Sequence, residues 1–275
     1  MITLRTRFAP SPTGRLHLGH VLSAVVVRRA ADAAGGEALL RIEDTDITRC
    51  RPEFEAAILD DLAWLGLTWD GPVRRQSEHF DDYLAVVAAL RERGLVYRCF
   101  LTRQEMQDRF PDGIVRSGPL SKAAEGARLA EGAPFAWRLS LEAARAEMGD
   151  LIFRSLSYQT EDDGTLTRHT AEPKRHGDIA LTRKDTPAAY HLAACHDDAI
   201  QEITHVIRGE DLIEAPHIHT LLQALMDWPR PIYRHHRLLL GPDGHKLSKR
   251  TGAKSLAALR EDGLSPAEIL SLAGI

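Results

Sequence analysis

The amino-terminal part of the chain carries the pattern that most restricts its fold. Residues 3–8 have the composition of a strand, and residues 9–14 form a tight loop, because two prolines and a glycine exclude a helix there. A helical pattern follows from about Leu18 to Ala34, and after a glycine pair a second apolar strand spans 38–42. A strand, a helix and a second strand in this order predict a parallel sheet with ligands bound beyond the carboxyl ends of its strands.

The remainder of the chain divides by the regularity of its pattern. An amphipathic helix is predicted over 52–66, and the periodicity weakens over 97–175, where prolines and glycines are frequent. Strand and helix patterns resume after that stretch, and the residues from Pro229 to Lys254 are strongly basic. The predicted organisation is a split nucleotide-binding catalytic domain (1–75 and 176–228), an inserted domain (76–175) and a carboxyl-terminal helical segment with a basic loop (229–275).

Length and composition narrow the class of protein. The chain has 275 residues, enough for one to three domains, and no apolar run approaches the ~18 residues that a membrane helix needs. The amino terminus lacks a signal core, so we expect a cytoplasmic protein. A formal charge of -4 restricts any contact with nucleic acid to a local basic surface. Cys50, Cys99 and Cys195 form no close pair and are expected to be reduced thiols.

The tetrapeptide His17-Leu18-Gly19-His20 stands where the first helix begins. Histidines three positions apart share a helical face, and the helix amino terminus attracts phosphate. His17 and His20 are therefore candidate catalytic residues that bind ATP, and Gly19 is expected to leave room for the adenine base. On the tetrapeptide alone, a simple helix cap or a pair of zinc ligands remains equally possible.

A second candidate is the glycine-rich loop 241–250, which contains Lys246 and Lys249. Ammonium groups on a loop that closes can neutralise the departing phosphates of ATP, which links the chemistry to a conformational step. Both lysines are predicted to be catalytic and to bind ATP. A solvated basic loop is the alternative.

Taken in order, five motifs resemble those of glutamyl-tRNA synthetases, a family of class I aminoacyl-tRNA synthetases. They are Arg7-Phe8-Ala9-Pro10-Ser11-Pro12-Thr13-Gly14, His17-Leu18-Gly19-His20, Arg41-Ile42-Glu43-Asp44-Thr45-Asp46, Arg208-Gly209-Glu210-Asp211-Leu212 and Lys246-Leu247-Ser248-Lys249-Arg250. The resemblance covers most of residues 3–260 and is weakest in the inserted stretch. It implies an α/β fold with a split Rossmann-like parallel sheet, an inserted α+β domain of the acceptor-binding type and no anticodon-binding domain.

The resemblance also implies an activity. Enzymes of this family use ATP with Mg²⁺ to convert L-glutamate into an adenylate, which they transfer to tRNA. Without an anticodon-binding domain, the chain resembles a shorter paralogue that forms the adenylate without tRNA and glutamylates the queuosine base of tRNA(Asp). Three alternatives remain: a shortened enzyme that charges a tRNA 3′ end, a nucleotidyltransferase for another small molecule, and a binding module without catalysis.

The same resemblance implies a set of glutamate-binding residues: Arg7, Phe8, Ala9, Pro10, Ser11, Glu43, Tyr190 and Arg208. The chemistry of several supports this. Arg208, helped by Arg7, can form paired hydrogen bonds with the side-chain carboxylate and reject glutamine. Glu43 can hold the α-ammonium group, and Tyr190 offers a hydroxyl and a flat wall. Ordinary partly buried polar residues are the alternative interpretation.

No metal site is predicted. Asp44 and Asp46 are expected to cap a helix or pair with arginine. The resemblance implies a zinc site that begins with a C-x-C pair, but Cys99 is followed by Leu101, so we expect zinc to be absent. Without zinc, core packing must hold the inserted domain together. The protein is expected to act as a monomer.

Overall fold

The computed structural model describes residues 3–241 and 254–275. Within them the chain forms, in order, β1 (Arg5–Phe8), α1 (Leu18–Ala33), β2 (Glu37–Ile42), α2 (Pro52–Trp64), β3 (Arg74–Arg75), α3 (Phe80–Glu92), β4 (Val96–Cys99), α4 (Arg103–Arg109), α5 (Lys122–Ala130), β5 (Ala136–Leu139), α6 (Leu141–Met148), α7 (Asp150–Ser155), β6 (Ser157–Asp162), β7 (Thr165–Thr170), α8 (Tyr190–Ile200), β8 (His205–Gly209), α9 (Ala215–Leu225), β9 (Ile232–His236), α10 (Leu256–Glu261) and α11 (Pro266–Leu272).

The predicted strand, helix and strand at the amino terminus are present as β1, α1 and β2. β1 pairs with β2 in parallel, from Arg5 opposite Glu37 to Phe8 opposite Leu40, and β2 pairs with β3 in parallel. The turn before β2 requires glycine, because a Cβ on Gly36 would lie 2.0 Å from the carbonyl oxygen of Leu4. The glycine therefore lets the two strands come into register directly after the helix.

A second, four-stranded sheet lies next to β1. Its order is β7-β6-β9-β8, with β8, β9 and β6 parallel and β7 antiparallel. Thr204 joins it to the first sheet, since its N–H donates to the Arg5 carbonyl at 2.9 Å and its hydroxyl accepts from the Arg5 N–H at 2.8 Å. β1 thus lies between β2 and β8, and the predicted parallel sheet of the catalytic domain is confirmed.

The stretch predicted to be inserted contains its own small sheet, in which β4 and β5 pair antiparallel. Beside it the guanidinium of Arg98 lies 5.2 Å from the ring centre of Phe135 and 4.7 Å from that of Trp137, and bonds Glu125 at 2.8 Å. β6, which also falls in this stretch, pairs with β9 in the same sheet as β8. The domain boundaries stay a prediction.

Two clusters of buried apolar side chains support the sheet. One packs α1 and α2 against β1 and β2, and includes Leu256 and Ile269 of the last two helices. The other packs α8 and α9 against α3, β4 and β9. The carboxyl-terminal helices therefore contact the same core as α1, close to the predicted catalytic histidines. No helix in residues 3–241 or 254–275 is long and apolar enough to cross a membrane.

Candidate active site

The amino end of α1 is built by its two histidines. Nδ1 of His17 accepts the Gly19 N–H, Nδ1 of His20 accepts the His17 N–H, both at 3.1 Å, and the ring centres are 3.8 Å apart. Both rings cap the helix, and a neutral ring whose Nδ1 accepts carries its proton on Nε2. A Cβ on Gly19 would lie 3.0 Å from the His17 ring, so the glycine makes room for that imidazole.

A cavity of about 240 Å³ lies against this helix end. Its wall contains His17, Gly19, His20, Leu22, Ser23, Gly209, Asp211, His236, Arg237, Leu238 and Leu239. Sequence analysis did not assign His236 and Arg237 to this site, although the basic character of their segment is a signal for it. His236 bonds Ser23 at 2.7 Å, and Arg237 donates to the carbonyls of Ala273 and Gly274 at 3.3 Å.

The predicted catalytic Lys246 and Lys249 lie outside the described residues. The described residues on either side of that segment are close to the histidines. Leu239 lines the cavity, Ser255 forms a β-bridge with His17, and the Leu256 N–H donates to the Leu16 carbonyl at 2.8 Å.

The proline loop after β1 is held by the strand beside it. The carbonyl of Pro10 accepts the N–H of Glu43 at 3.0 Å, and the Ser11 hydroxyl lies 3.9 Å from the Cys50 sulfur. The side chain of Phe8 is buried and stacks on Trp69 with ring centres 5.7 Å apart. Phe8 can therefore reach a substrate only through its backbone, whereas Ala9 is partly buried beside the exposed Ser11.

Arg208 and Tyr190, which are distant in the chain, meet at the carboxyl end of β8. Arg208 Nη1 donates to the Tyr190 hydroxyl at 3.2 Å, and Nη2 donates to the Leu212 carbonyl at 3.1 Å. The arginine is only 6 % exposed, and its remaining contacts are His235 at 3.5 Å and the ring of Tyr233. Among the described residues no carboxylate pairs with Arg208, which leaves a buried positive charge without a compensating acid.

The imidazoles around Arg208 do not supply further charge at neutral pH. Burial, with a contribution from the Arg208 charge, lowers the pKa of His191 and of His235 to about 4 and places the pKa of His219 well below its usual value. Nδ1 of His191 lies 3.1 Å from Nε2 of His219. Arg208 is thus surrounded by neutral imidazole rings. An anion bound beside them would interact with the positive charge of Arg208.

Arg7 and Glu43 lie near Tyr190 and belong to a network of buried charged side chains. The sequence did not predict this network. Asp198 Oδ1 accepts from Arg7 Nε at 2.9 Å and from Arg41 Nη2 at 2.8 Å, and Arg41 Nη2 is 3.5 Å from Glu43 Oε1. Burial raises the pKa of Glu43, although Arg41 and Arg7 oppose the shift. The charges of Arg208, Glu43 and Arg7 all act on the Tyr190 hydroxyl, whose pKa is raised chiefly by burial.

These positions bring together four of the predicted glutamate-binding residues, namely Arg7, Glu43, Tyr190 and Arg208. Their assignment to glutamate stays a prediction. The sequence signal for Asp198 is a pair of consecutive acids in the otherwise largely apolar segment that forms helix α8. In the structure Asp197 is completely buried and Asp198 almost completely buried. Such acids must be paired, but the sequence does not show their partners.

Arginine pairing explains Asp46, as expected. Its carboxylate bonds Arg49 at 2.7 Å and Arg183 at 3.0 Å, and Asp44 accepts from the N–H and hydroxyl of Ser77. Cys99 is buried, and no group of three metal-ligating side chains occurs among the residues that the structure describes. The absence of zinc stays a prediction.

The fold and this site define a class I synthetase. The chain belongs to the family "tRNA synthetases class I (E and Q), catalytic domain", whose model matches residues 3–274. The predicted family and the predicted type of enzyme, a ligase of the aminoacyl-tRNA synthetase kind, are confirmed. Such enzymes use ATP with Mg²⁺.

Individual relatives refine the comparison. The glutamyl-Q tRNA(Asp) synthetase of Rhodobacter capsulatus is 42% identical over 289 residues, which cover 98% of this chain and 99% of that protein. The glutamate–tRNA ligase of Aquifex aeolicus is 37% identical, with 97% of this chain and 55% of the ligase covered. A solved glutamate–tRNA synthetase from Elizabethkingia anophelis is 31% identical with a TM-score of 0.73, and covers 91% of this chain and 53% of its own. The chain thus spans nearly all of the first relative and about half of the other two.

Proposed function

We propose that this chain activates L-glutamate with ATP in the absence of tRNA and transfers it to the queuosine base of tRNA(Asp). The observation that carries the first half is Arg208, a buried guanidinium with no carboxylate partner among the described residues. A buried charge is costly unless a partner compensates it, so the site favours a substrate with an acidic side chain.

The proposed glutamate pose uses the charges beside Arg208. The side-chain carboxylate accepts two hydrogen bonds from the Arg208 fork, next to the Tyr190 hydroxyl. The α-ammonium group binds Glu43, and the carbonyls of the proline loop at Pro10 and Ser11 border the substrate. Glutamine lacks the negative charge and would leave the guanidinium uncompensated, which is the physical basis for rejecting it.

In the activation step, the α-carboxylate of glutamate attacks the α-phosphate of ATP and pyrophosphate leaves. His17 and His20 at the amino end of α1 supply Nε2–H donors and a positive helix end to the phosphates. Lys246 and Lys249 would neutralise the departing pyrophosphate, and Mg²⁺ arrives as part of the ATP substrate. Neither lysine needs to form a covalent bond, because the catalysis consists of positioning and charge stabilisation.

In the transfer step, a hydroxyl of the cyclopentene diol of queuosine attacks the carbonyl carbon of the adenylate. An ester forms, AMP leaves with the bonding electron pair, and the hydroxyl proton passes to solvent or to AMP. Similarity along nearly the whole length of the Rhodobacter capsulatus protein supports this acceptor. A cytoplasmic monomer is the form in which we expect the enzyme to work.

Pyrophosphate exchange tests the first half. The protein is incubated with ATP, labelled pyrophosphate and L-glutamate without RNA, and L-glutamine and L-aspartate serve as controls. We expect exchange with glutamate alone. Exchange that requires tRNA would refute tRNA-independent activation, and equal exchange with glutamine would refute the selection of glutamate by Arg208.

Transfer of labelled glutamate tests the acceptor. We expect label on tRNA(Asp) that contains queuosine and none on unmodified tRNA(Asp) or tRNA(Glu). The second candidate, charging of a tRNA 3′ end, is favoured by the similarity to glutamate–tRNA ligases. Removal of the 3′-terminal adenosine distinguishes the two, because it abolishes charging of the end and leaves transfer to the base intact.

A further inference from the structure

Asp198 joins two parts of the glutamate pocket that come from different strands. Its Oδ1 accepts from Arg7 on β1 at 2.9 Å and from Arg41 on β2 at 2.8 Å. Its Oδ2 lies 3.5 Å from Arg7 Nη2. The carboxylate is 5% exposed, Arg7 is 4% exposed and Arg41 is completely buried. Removing this carboxylate would therefore free both guanidinium groups at once.

The second arginine extends this effect to Glu43. Arg41 Nη2 lies 3.5 Å from Glu43 Oε1, and Arg41 Nη1 donates to Gln201 at 3.0 Å. Asp198 accepts from Nη2 of Arg41 and Gln201 accepts from Nη1, so the positive charge of Arg41 acts on Glu43 only in competition with these two acceptors. Glu43 then keeps capacity to hold an ammonium group of the substrate.

The same carboxylate sets the charge balance of the pocket. Arg7 pairs with Asp198, and Arg41 pairs with Asp198 at 2.8 Å, with Glu43 at 3.5 Å and with Asp197 at 4.0 Å, whereas Arg208 has no acid partner among the described residues. Arg208 is thus the cation available to a substrate that has two carboxylates. Only one orientation of glutamate places its side-chain carboxylate at Arg208. Without Asp198, the position of the Arg7 guanidinium would no longer be fixed, and the orientation of the bound carboxylates would be less well defined.

We propose that Asp198 is a positioning residue that sets the orientation and affinity of glutamate, by holding Arg7 and Arg41 and thereby reserving Glu43 for the α-ammonium group. This inference rests on the proposed function. Helix α8 carries both Asp198 and, in its first turn, Tyr190. Positions eight residues apart lie close to one face of a helix, so one rigid element places both groups.

The neighbouring residue provides a matched control. Asp197 is completely buried on the same helix, but it accepts from Arg74 at 3.0 Å, Gln76 at 2.9 Å and Tyr83 at 2.9 Å, all outside the predicted pocket. Its closest approach to Arg41 is 4.0 Å. Asp197→Asn and Asp198→Asn both remove one buried charge from α8, but only the second releases Arg7.

The test compares these two variants with the wild-type protein in RNA-free pyrophosphate exchange. For Asp198→Asn we expect the KM for glutamate to rise at least about tenfold while the KM for ATP stays within about twofold. Asp197→Asn should keep both values within about twofold of wild type, even if both variants melt at a lower temperature. An unchanged glutamate KM in Asp198→Asn, or equal increases in both variants, would overturn the proposal.

Inhibition by glutarate gives a second readout that a purely structural role would not alter. Glutarate has both carboxylates but no ammonium group, so it makes no use of Glu43. In Asp198→Asn the inhibition constant of glutarate should rise less than the KM of glutamate, and a parallel rise would contradict the inference. If Asp198→Asn does not fold, Arg41→Lys serves instead: it keeps the charge but reaches fewer acceptors, and an unchanged glutamate KM would equally overturn the proposal.

The wild-type protein separates this inference from the proposed function. If the wild-type protein supports no exchange with glutamate, the proposed function fails. If it does, and Asp198→Asn behaves as the wild type, only the role of Asp198 fails.

Discussion

His17 and His20 cap the same helix end that they are predicted to use for catalysis. Each Nδ1 accepts a backbone N–H at 3.1 Å, and the ring centres lie 3.8 Å apart. The two interpretations offered by the sequence, helix cap and phosphate donor, are therefore compatible, because capping uses Nδ1 and leaves Nε2 as the protonated nitrogen of the neutral ring.

Asparagine at position 17 should separate the two roles of the histidine. Asparagine is a good N-cap, so His17→Asn should change the free energy of unfolding by less than about 0.5 kcal/mol. It lacks the Nε2–H donor, so kcat for pyrophosphate exchange should fall at least about tenfold. His17→Ala loses the cap as well and should cost about 1 kcal/mol of stability. Wild-type exchange rates in His17→Asn would show that the ring acts only as a cap.

Substitution of Lys249 should lower the rate of adenylate formation and leave the affinity for glutamate unchanged. We expect Lys249→Ala to lower kcat for exchange about a hundredfold, because its charge acts on the departing phosphates. Calorimetric binding of glutamate should stay within about twofold. Lys254, an exposed lysine paired with Asp262 at 2.8 Å, is the control. Unchanged exchange kinetics in Lys249→Ala would refute the assigned role.

Loss of the Tyr190 hydroxyl should weaken glutamate binding modestly. Tyr190→Phe removes the acceptor of one charge-assisted hydrogen bond from Arg208, worth about 1.5–3 kcal/mol in total. Only part of that energy affects glutamate binding, so the glutamate KM should rise about three- to tenfold. Tyr97→Phe removes bonds to Ser117 on the inserted stretch and to Asp178 just after it, and should leave that KM unchanged. Equal effects of both substitutions in the exchange assay would count against a direct role for Tyr190.

Asp61 should reduce stability at neutral pH. It is 2% exposed, its Oδ2 lacks a hydrogen-bond partner in the part of the chain that the structure describes, and burial raises its pKa to about 6. The unfolded chain releases this proton near pH 4, so stability is lost as pH rises from about 4 through about 6. Asp61→Asn should therefore gain about 1–3 kcal/mol at pH 7.5 and little at pH 4.

Urea unfolding at both pH values checks this prediction. The exposed neighbour Asp60 pairs with Arg260 at 2.7 Å, and Asp60→Asn should change stability by less than about 1 kcal/mol at either pH. A destabilised Asp61→Asn protein at pH 7.5 would mean that the carboxylate has a stabilising partner.

The purified protein should contain no stoichiometric zinc. Cys99 has no second cysteine nearby in the sequence, and the contact of the Arg98 guanidinium with the rings of Phe135 and Trp137 helps to support the inserted stretch without a metal. A chelator should leave the melting temperature unchanged. One zinc per chain by elemental analysis would contradict this expectation.

Local patterns predicted the helices near the site closely. The first helix was expected from about Leu18 to Ala34 and spans Leu18–Ala33, because Gly35 adopts a positive φ that ends it. Strand β8 begins at His205, and Glu202, with a φ of 53°, lies in the turn before it.

The buried charges could not be predicted in the same way. Asp198 bonds Arg7, which lies 191 positions away, and no periodicity records which arginine a buried aspartate meets. The resemblance pointed to Arg7 as a reader of the substrate carboxylate, but it did not indicate that Asp198 already engages that guanidinium. Charge balance depends on tertiary contacts, whereas caps and helix ends depend on neighbours in the chain.

Arg237 connects the backbone after helix α11 to the cavity beside the two candidate catalytic histidines. It lines that cavity and donates to the carbonyls of Ala273 and Gly274, so this backbone orients a cation at the wall of the proposed ATP site. Substitutions that shift the backbone at Ala273 and Gly274 should therefore change the KM for ATP without touching any residue of the histidine motif.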